Sequence, residues 1–158
     1  MADQNDRLGS SGVFKAIADS ARKFKRAVTG AEDELTPVTH ELGEAIARAF
    51  VANRFADVHA LGTRSFLQRT AREAFVDRWL EAARARGPFT SYEVSNAGDI
   101  DLAFIPGLEE ISQEQFAAFI EITFATPAIP IEDDKAFAVA VVLLHEDGEV
   151  RLGALHAR

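Results

Sequence analysis

Two histidines, two aspartates and a tyrosine are the residues of this chain whose types and spacing could carry chemistry. The last stretch, VVLLHEDGEVRLGALHAR, alternates like a hairpin and sets His145 on one arm and His156 on the other. With Asp147-Gly148 as a two-residue turn, Glu146 faces Glu149, His145 faces Val150 and Val139 faces His156. On that register Phe137, Val139, Val141, Leu143 and His145 share a face with Val150, Leu152, Ala154 and His156. His156 is then an imidazole among apolar neighbours, where burial lowers its pKa and makes it a usable base. His145 lies at the solvent end of the same face. The two are too far apart along the hairpin to form a dyad or to hold one metal ion. The plainer reading is a sheet histidine satisfied by backbone or a partner subunit, and a solvated one beside a turn.

Upstream, Asp99 and Asp101 flank Ile100, with Tyr92 a few residues before them. A carboxylate that abstracts a proton and a donor that steadies the resulting enolate make an acid–base pocket. NAGDID also reads as a turn, in which aspartate serves the backbone. Other chemistries find less material. Neither His40 nor His59 belongs to an H-E-x-x-H-type pair, and the acidic runs 32–34, 109–110 and 132–134 lack calcium-loop spacing, so no metal site is expected. The chain has no Cys, no G-x-S-x-G and no glycine-rich phosphate loop, and no cofactor is expected. Phe50, Phe55, Phe66, Phe75, Trp79 and Phe89 are the candidate lining of a site for a small apolar ligand, and would serve equally as core.

These residues need elements to hold them. Residues 1–12 read as a flexible lead, and VFKAIADSARKFKRAVTG as an amphipathic helix with Val13, Phe14, Ile17, Ala21, Phe24 and Val28 on one side. Its other side carries Lys15, Arg22, Lys23, Lys25 and Arg26, which suits docking on an acidic partner or a lipid surface, or simple packing of the helix on its own domain or on a second subunit. Thr36-Pro37 marks a helix start, with Val38, Leu42, Ile46, Ala49 and Phe50 as its apolar stripe. A short segment, RFADVHALG, ends at Gly62. Thr70 to Glu73 fits a capping box for a helix with Phe75, Trp79 and Ala83 inward, stopped by Gly87-Pro88. Beyond Phe89 the pattern turns to alternation: SYEVSN, a strand over 116–126, and the closing hairpin. Helices followed by antiparallel strands predict an α+β fold, divided as an arm over 1–35 and a domain over 36–158.

Bulk properties narrow the partners. A net charge of −8 argues against general binding to nucleic acid or to an anionic membrane surface. The polar start MADQNDRLGSSG lacks a signal-type apolar region, and no window approaches the roughly 20 apolar residues of a spanning helix, so a cytoplasmic protein without membrane insertion is expected.

Three stretches, AIARAFVANRFADVHALGTRSF, AREAFVDRWLEAARARGPFTSYEV and VVLLHEDGEVRLGALH, carry a family resemblance. Over residues 37–157 the chain resembles the nuclear-transport-factor-2-like (cystatin-like, ketosteroid-isomerase-like) superfamily, in its small bacterial branch. The closing pattern falls on Gly148, Val150 and Gly153. The resemblance implies N-terminal helices packed on a curved, cone-shaped antiparallel sheet around an apolar pocket, and a homodimer formed through the outer sheet face. Asp99 to Gln115 is longer than the hairpin connection the family pattern calls for. The superfamily holds both non-catalytic members and isomerases or dehydratases that place Asp, His or Tyr in the pocket. Fold alone does not choose between them. The expectation for this chain is non-catalytic binding of a small apolar ligand or a protein partner. The alternative is a pocket enzyme with His156, Asp99 or Asp101 as base and Tyr92 as donor.

Overall fold

A computed structural model describes residues 35–158, and the lead and basic helix expected over 1–30 lie outside them. Among the described residues four helices come first: α1 Pro37–Val51, α2 Phe55–His59, α3 Arg64–Arg69 and α4 Arg72–Arg86. Four strands follow: β1 Ser91–Gly98, β2 Phe116–Ala125, β3 Phe137–Glu146 and β4 Glu149–Ala157. They form one antiparallel sheet in the order β1-β2-β3-β4, so β1 and β4 are its edges. The α+β class and the order of its elements agree with the sequence pattern.

Local chemistry explains most boundaries. Thr36 caps α1, its Oγ1 accepting from the Thr39 N–H at 3.3 Å, with Pro37 at the first helical position. The stripe that α1 buries is Thr39, Gly43, Ile46, Ala47 and Phe50, whereas Val38 stands exposed. Gly43 lets the helix approach the sheet closely, since a Cβ there would lie 2.9 Å from Ile120 and 3.1 Å from Val94. Gly87, at φ 91°, ends α4 as expected.

Thr70 does not open α4. Thr63 starts a separate helix by accepting from the Phe66 N–H at 3.1 Å, and Thr70 closes that helix in an extended conformation. The Thr70 carbonyl then accepts from Nε2 of the buried His59 at 2.7 Å. α4 therefore begins after Ala71, which supplies no side-chain cap.

The helices cover one face of the sheet, and the β1–β2 connection covers part of the other. The helix-facing cluster joins Ile46, Phe50, Phe55, Val58, Phe66, Phe75 and Trp79 to Ile120, Ile122, Phe124, Phe137, Val139, Val141, Leu143, Leu152 and Leu155. The outer face carries a second cluster, in which Ile100, Leu102, Ile105 and Leu108 pack on Phe119, Ala140, Val142, Leu144 and Ala154. The long connection between β1 and β2 supplies this cover. It folds through two short 3-10 turns, Leu102–Phe104 and Gln113–Gln115, tied by Gln113, whose side chain bonds both the Leu102 N–H and the Ile100 carbonyl at 2.9 Å. What the sequence marks as an over-long loop is a lid of apolar side chains on the sheet.

The hairpin turns at Asp147-Gly148, both at positive φ (53° and 80°), the requirement of a type I′ turn. Its register then departs from the one expected. Glu146↔Glu149 and His145↔Val150 pair as the turn dictates, but a bulge falls between Val142 and Leu143, opposite Gly153. Beyond it Val139 faces Ala157, and His156 faces Ala140. One extra residue reverses the side-chain sense of everything after it. Ala154 and His156 thus leave the helix-facing side for the outer one. Gly153 sits where a Cβ would meet the Leu144 side chain at 2.5 Å, so any other residue there would displace Leu144.

Candidate functional site

The edge strand β4 is occupied along its free side, and this positions the candidate site. The Leu152 N–H bonds the Leu61 carbonyl and the Leu152 carbonyl accepts from the Thr63 N–H, each at 2.9 Å. Next along the strand, the Gly153 carbonyl accepts from the guanidinium of Arg69, at the end of α3. These contacts seat the α2–α3 turn and α3 against β4, and residues of α4 and of the β1–β2 connection close around the same end. A cleft of about 140 Å³ lies there, lined by Arg69, Thr70, Arg78, Trp79, Pro106 and His156, with Phe66, Phe75 and Leu155 at its apolar side.

Within this cleft His156 is half-buried and is held down to a pKa of about 4. Burial is the main cause, followed by the positive charges of Arg78 and Arg69. The imidazole is therefore neutral near pH 7. Arg69 also bears the mark of burial, which lowers its own pKa, against an opposing pull from Glu109. Its guanidinium nests against Gly107, where a Cβ would stand 2.6 Å from Nε. Arg78 lies over the Trp79 ring at 6.0 Å. The arrangement offers two guanidiniums, a neutral imidazole and a threonine to whatever enters.

The other expected participants are elsewhere. Asp99 and Asp101 are exposed, and Asp101 caps the first 3-10 turn by accepting from the Ala103 N–H at 3.0 Å. Tyr92 is half-buried against the helix-facing core from β1. His156 is on β4, at the opposite edge and on the opposite face of the sheet. The acid–base set His156, Asp99, Asp101 and Tyr92 is not assembled. His145 is exposed beside the turn, and His40 is exposed, 3.8 Å from Glu44. Among the described residues no group of three His, Cys, Asp or Glu could hold a metal ion, and no helix is long and apolar enough to cross a membrane.

The aromatic set fills space between the helices and the sheet. Phe50 lies 5.0 Å from Phe55, 5.2 Å from Trp79 and 5.3 Å from Phe124, and Phe89 stacks on Phe137 at 5.3 Å. All six rings are at most 5% exposed. Phe66, Phe75 and Trp79 reach the wall of the His156 cleft; Phe50, Phe55 and Phe89 are core.

A larger groove, about 660 Å³, crosses the uncovered half of the outer sheet face. Its floor is Glu93, Ser95, Glu121 and Thr123, and its rim is the β2–β3 connection from Ile131 to Ala136 with Arg86 and Arg158. Both signs of charge line it. Glu121 is buried and pairs with Arg158 across the groove. Nothing in the sequence marks this pair, or Arg69 and Arg78, as partners. The one legible signal was Gly153, since a glycine inside a strand pattern marks a bulge.

Comparison with protein-family models, with curated proteins and with solved structures gives no match.

Proposed function

We propose that this chain is a non-catalytic binding domain of the nuclear-transport-factor-2-like type that engages a protein partner through the outer face of its sheet. A second copy of the chain is the first candidate partner. The observation that carries the reading is the contrast between the two sides of the sheet. On the helix side, stacked and edge-on rings occupy the volume that a small apolar ligand would need. On the outer side, a broad groove presents Glu93, Glu132, Asp133 and Asp134 beside Arg86, Lys135 and Arg158. A surface carrying both signs can be self-complementary about a two-fold axis, as a symmetric dimer demands. The dispersal of His156, Asp99 and Tyr92 argues against the isomerase or dehydratase alternative, which needs a base and a donor within reach of one substrate.

Sedimentation equilibrium at low and high salt tests the partner. A reversible dimer that weakens with salt and with Arg86→Glu supports pairing through the groove, and a monomer at every concentration removes the second copy from consideration. An apolar dye titration followed through Trp79 fluorescence tests the other half. The protein-partner reading expects no saturable uptake by the folded chain; saturable binding with quenching restores the small apolar ligand.

A further inference from the structure

The cleft around His156 suits an oxyanion, and we infer that it binds one: a carboxylate, sulfate or phosphate group held between Arg69 and Arg78 with His156 and Thr70 as neutral donors. The inference is independent of the proposed partner surface, because the cleft lies at the β4 edge and shares no lining residue with the groove.

Charge is the first argument. In a chain of net charge −8, the described residues lining this cleft include two arginines and no carboxylate. The guanidiniums come from separate helices, Arg69 from α3 and Arg78 from α4, so their convergence is a product of tertiary structure. Geometry is the second argument. Arg69 is fixed by its bond to the Gly153 carbonyl and by the close approach of Gly107, which leaves its remaining N–H groups in a defined orientation. A fork so held matches an oxyanion at low cost in lost side-chain freedom. Size is the third. About 140 Å³ accommodates one such group and little beyond it.

The charged groups facing His156 set the pH behaviour. Arg69 and Arg78 oppose its protonation, and Glu109, on the β1–β2 connection, acts on Arg69. Glu121 lies in the same cross-strand row, beyond Ala140, and is held by Arg158. An anion between the arginines offsets their repulsion of the imidazolium. Binding therefore takes up a proton, and affinity rises as pH falls toward the titration of His156.

The test is a titration of the full chain with sodium sulfate, whose charge is constant over this range, followed in amide correlation spectra at fixed ionic strength. Acetate serves as a parallel carboxylate probe. The expected result is saturable shifts confined to residues 69–79 and 154–156, about tenfold weaker binding or worse in Arg78→Gln, and partial recovery in Arg78→Lys. Arg78 is exposed, so its replacement leaves the fold intact. Glu109→Gln, which keeps an oxygen to accept from the Gly107 N–H, is expected to tighten binding. Shifts that never saturate with either anion overturn the site, as does an Arg78→Gln variant that binds as tightly as the parent.

Discussion

The Arg158 guanidinium pairs with the Glu121 carboxylate on the outer face of the sheet, where the Glu121 side chain is only 5% and that of Arg158 16% exposed. The backbone N–H of Arg158 also bonds the Ala138 carbonyl at 2.9 Å, extending the β3–β4 ladder by one residue beyond β4. The pair thus fixes the end of the edge strand to a central strand and gives the groove a rigid floor.

Removing one partner of such a pair leaves a buried charge facing a lost counter-charge. Arg158→Met is therefore expected to cost about 2–4 kcal/mol, whereas Arg158→Met combined with Glu121→Leu recovers most of it. Urea unfolding of the two single variants and the double variant measures the coupling. Additive losses would show that each side chain is held by its own surroundings.

Phe50 touches three other rings and is fully buried, while Phe104 is 69% exposed on the β1–β2 connection. Phe50→Ala is expected to cost about 3–5 kcal/mol through lost packing and the cavity left behind. Phe104→Ser is expected to stay within about 0.5 kcal/mol. A comparable loss at both sites, seen in denaturant midpoints, would mean that Phe104 is packed in solution, as it would be inside an interface.

The sequence showed the class of fold because periodicity is local: Ile46 and Phe50 at helical spacing, Ile120, Ile122 and Phe124 alternating, Asp147-Gly148 at a turn. It failed where the outcome depends on a distant contact. Thr70 carries a good capping signature, yet its backbone is claimed by His59 and by the end of α3. Val38 fits the apolar stripe of α1, yet among the described residues it stands 57% exposed. Strict alternation carried through Gly153 puts His156 on the helix-facing side, and the bulge there reverses it. Arg69 and Arg78 belong to different helices, and no spacing in the chain announces that they converge on one imidazole.

Gly153 itself is open to test. An added methyl group would meet Leu144 at 2.5 and 2.7 Å, and the facing Val142 carbonyl at 3.4 Å. Gly153→Ala is expected to destabilise the chain by about 1–3 kcal/mol, because side chain and strand must shift together. The variant also disturbs the carbonyl that holds Arg69. Thermal melts should register the stability loss, and the sulfate response at residues 154–156 should weaken with it. An unaltered melting curve would mean that the bulge tolerates a side chain and that Gly153 is not what places His156.

Acid stability follows from the depressed pKa of His156. The folded chain holds the imidazole neutral down to about pH 4, against an ordinary value of 6.5. Because the folded pKa lies below the unfolded one, the stabilising contribution is complete above pH 6.5. It fades as pH falls from 6.5 to 4, where the unfolded chain takes up a proton that the folded chain refuses. The full span amounts to an order of 2–3 kcal/mol, reduced by the partial exposure of the ring. His156→Gln removes this dependence, so the parent should lose stability relative to the variant across that window. Urea midpoints of both proteins at pH 7, 5.5 and 4, compared pairwise, isolate the effect from the carboxylates they share. A constant difference between parent and variant at all three values would place the imidazole in solvent and remove His156 from the cleft.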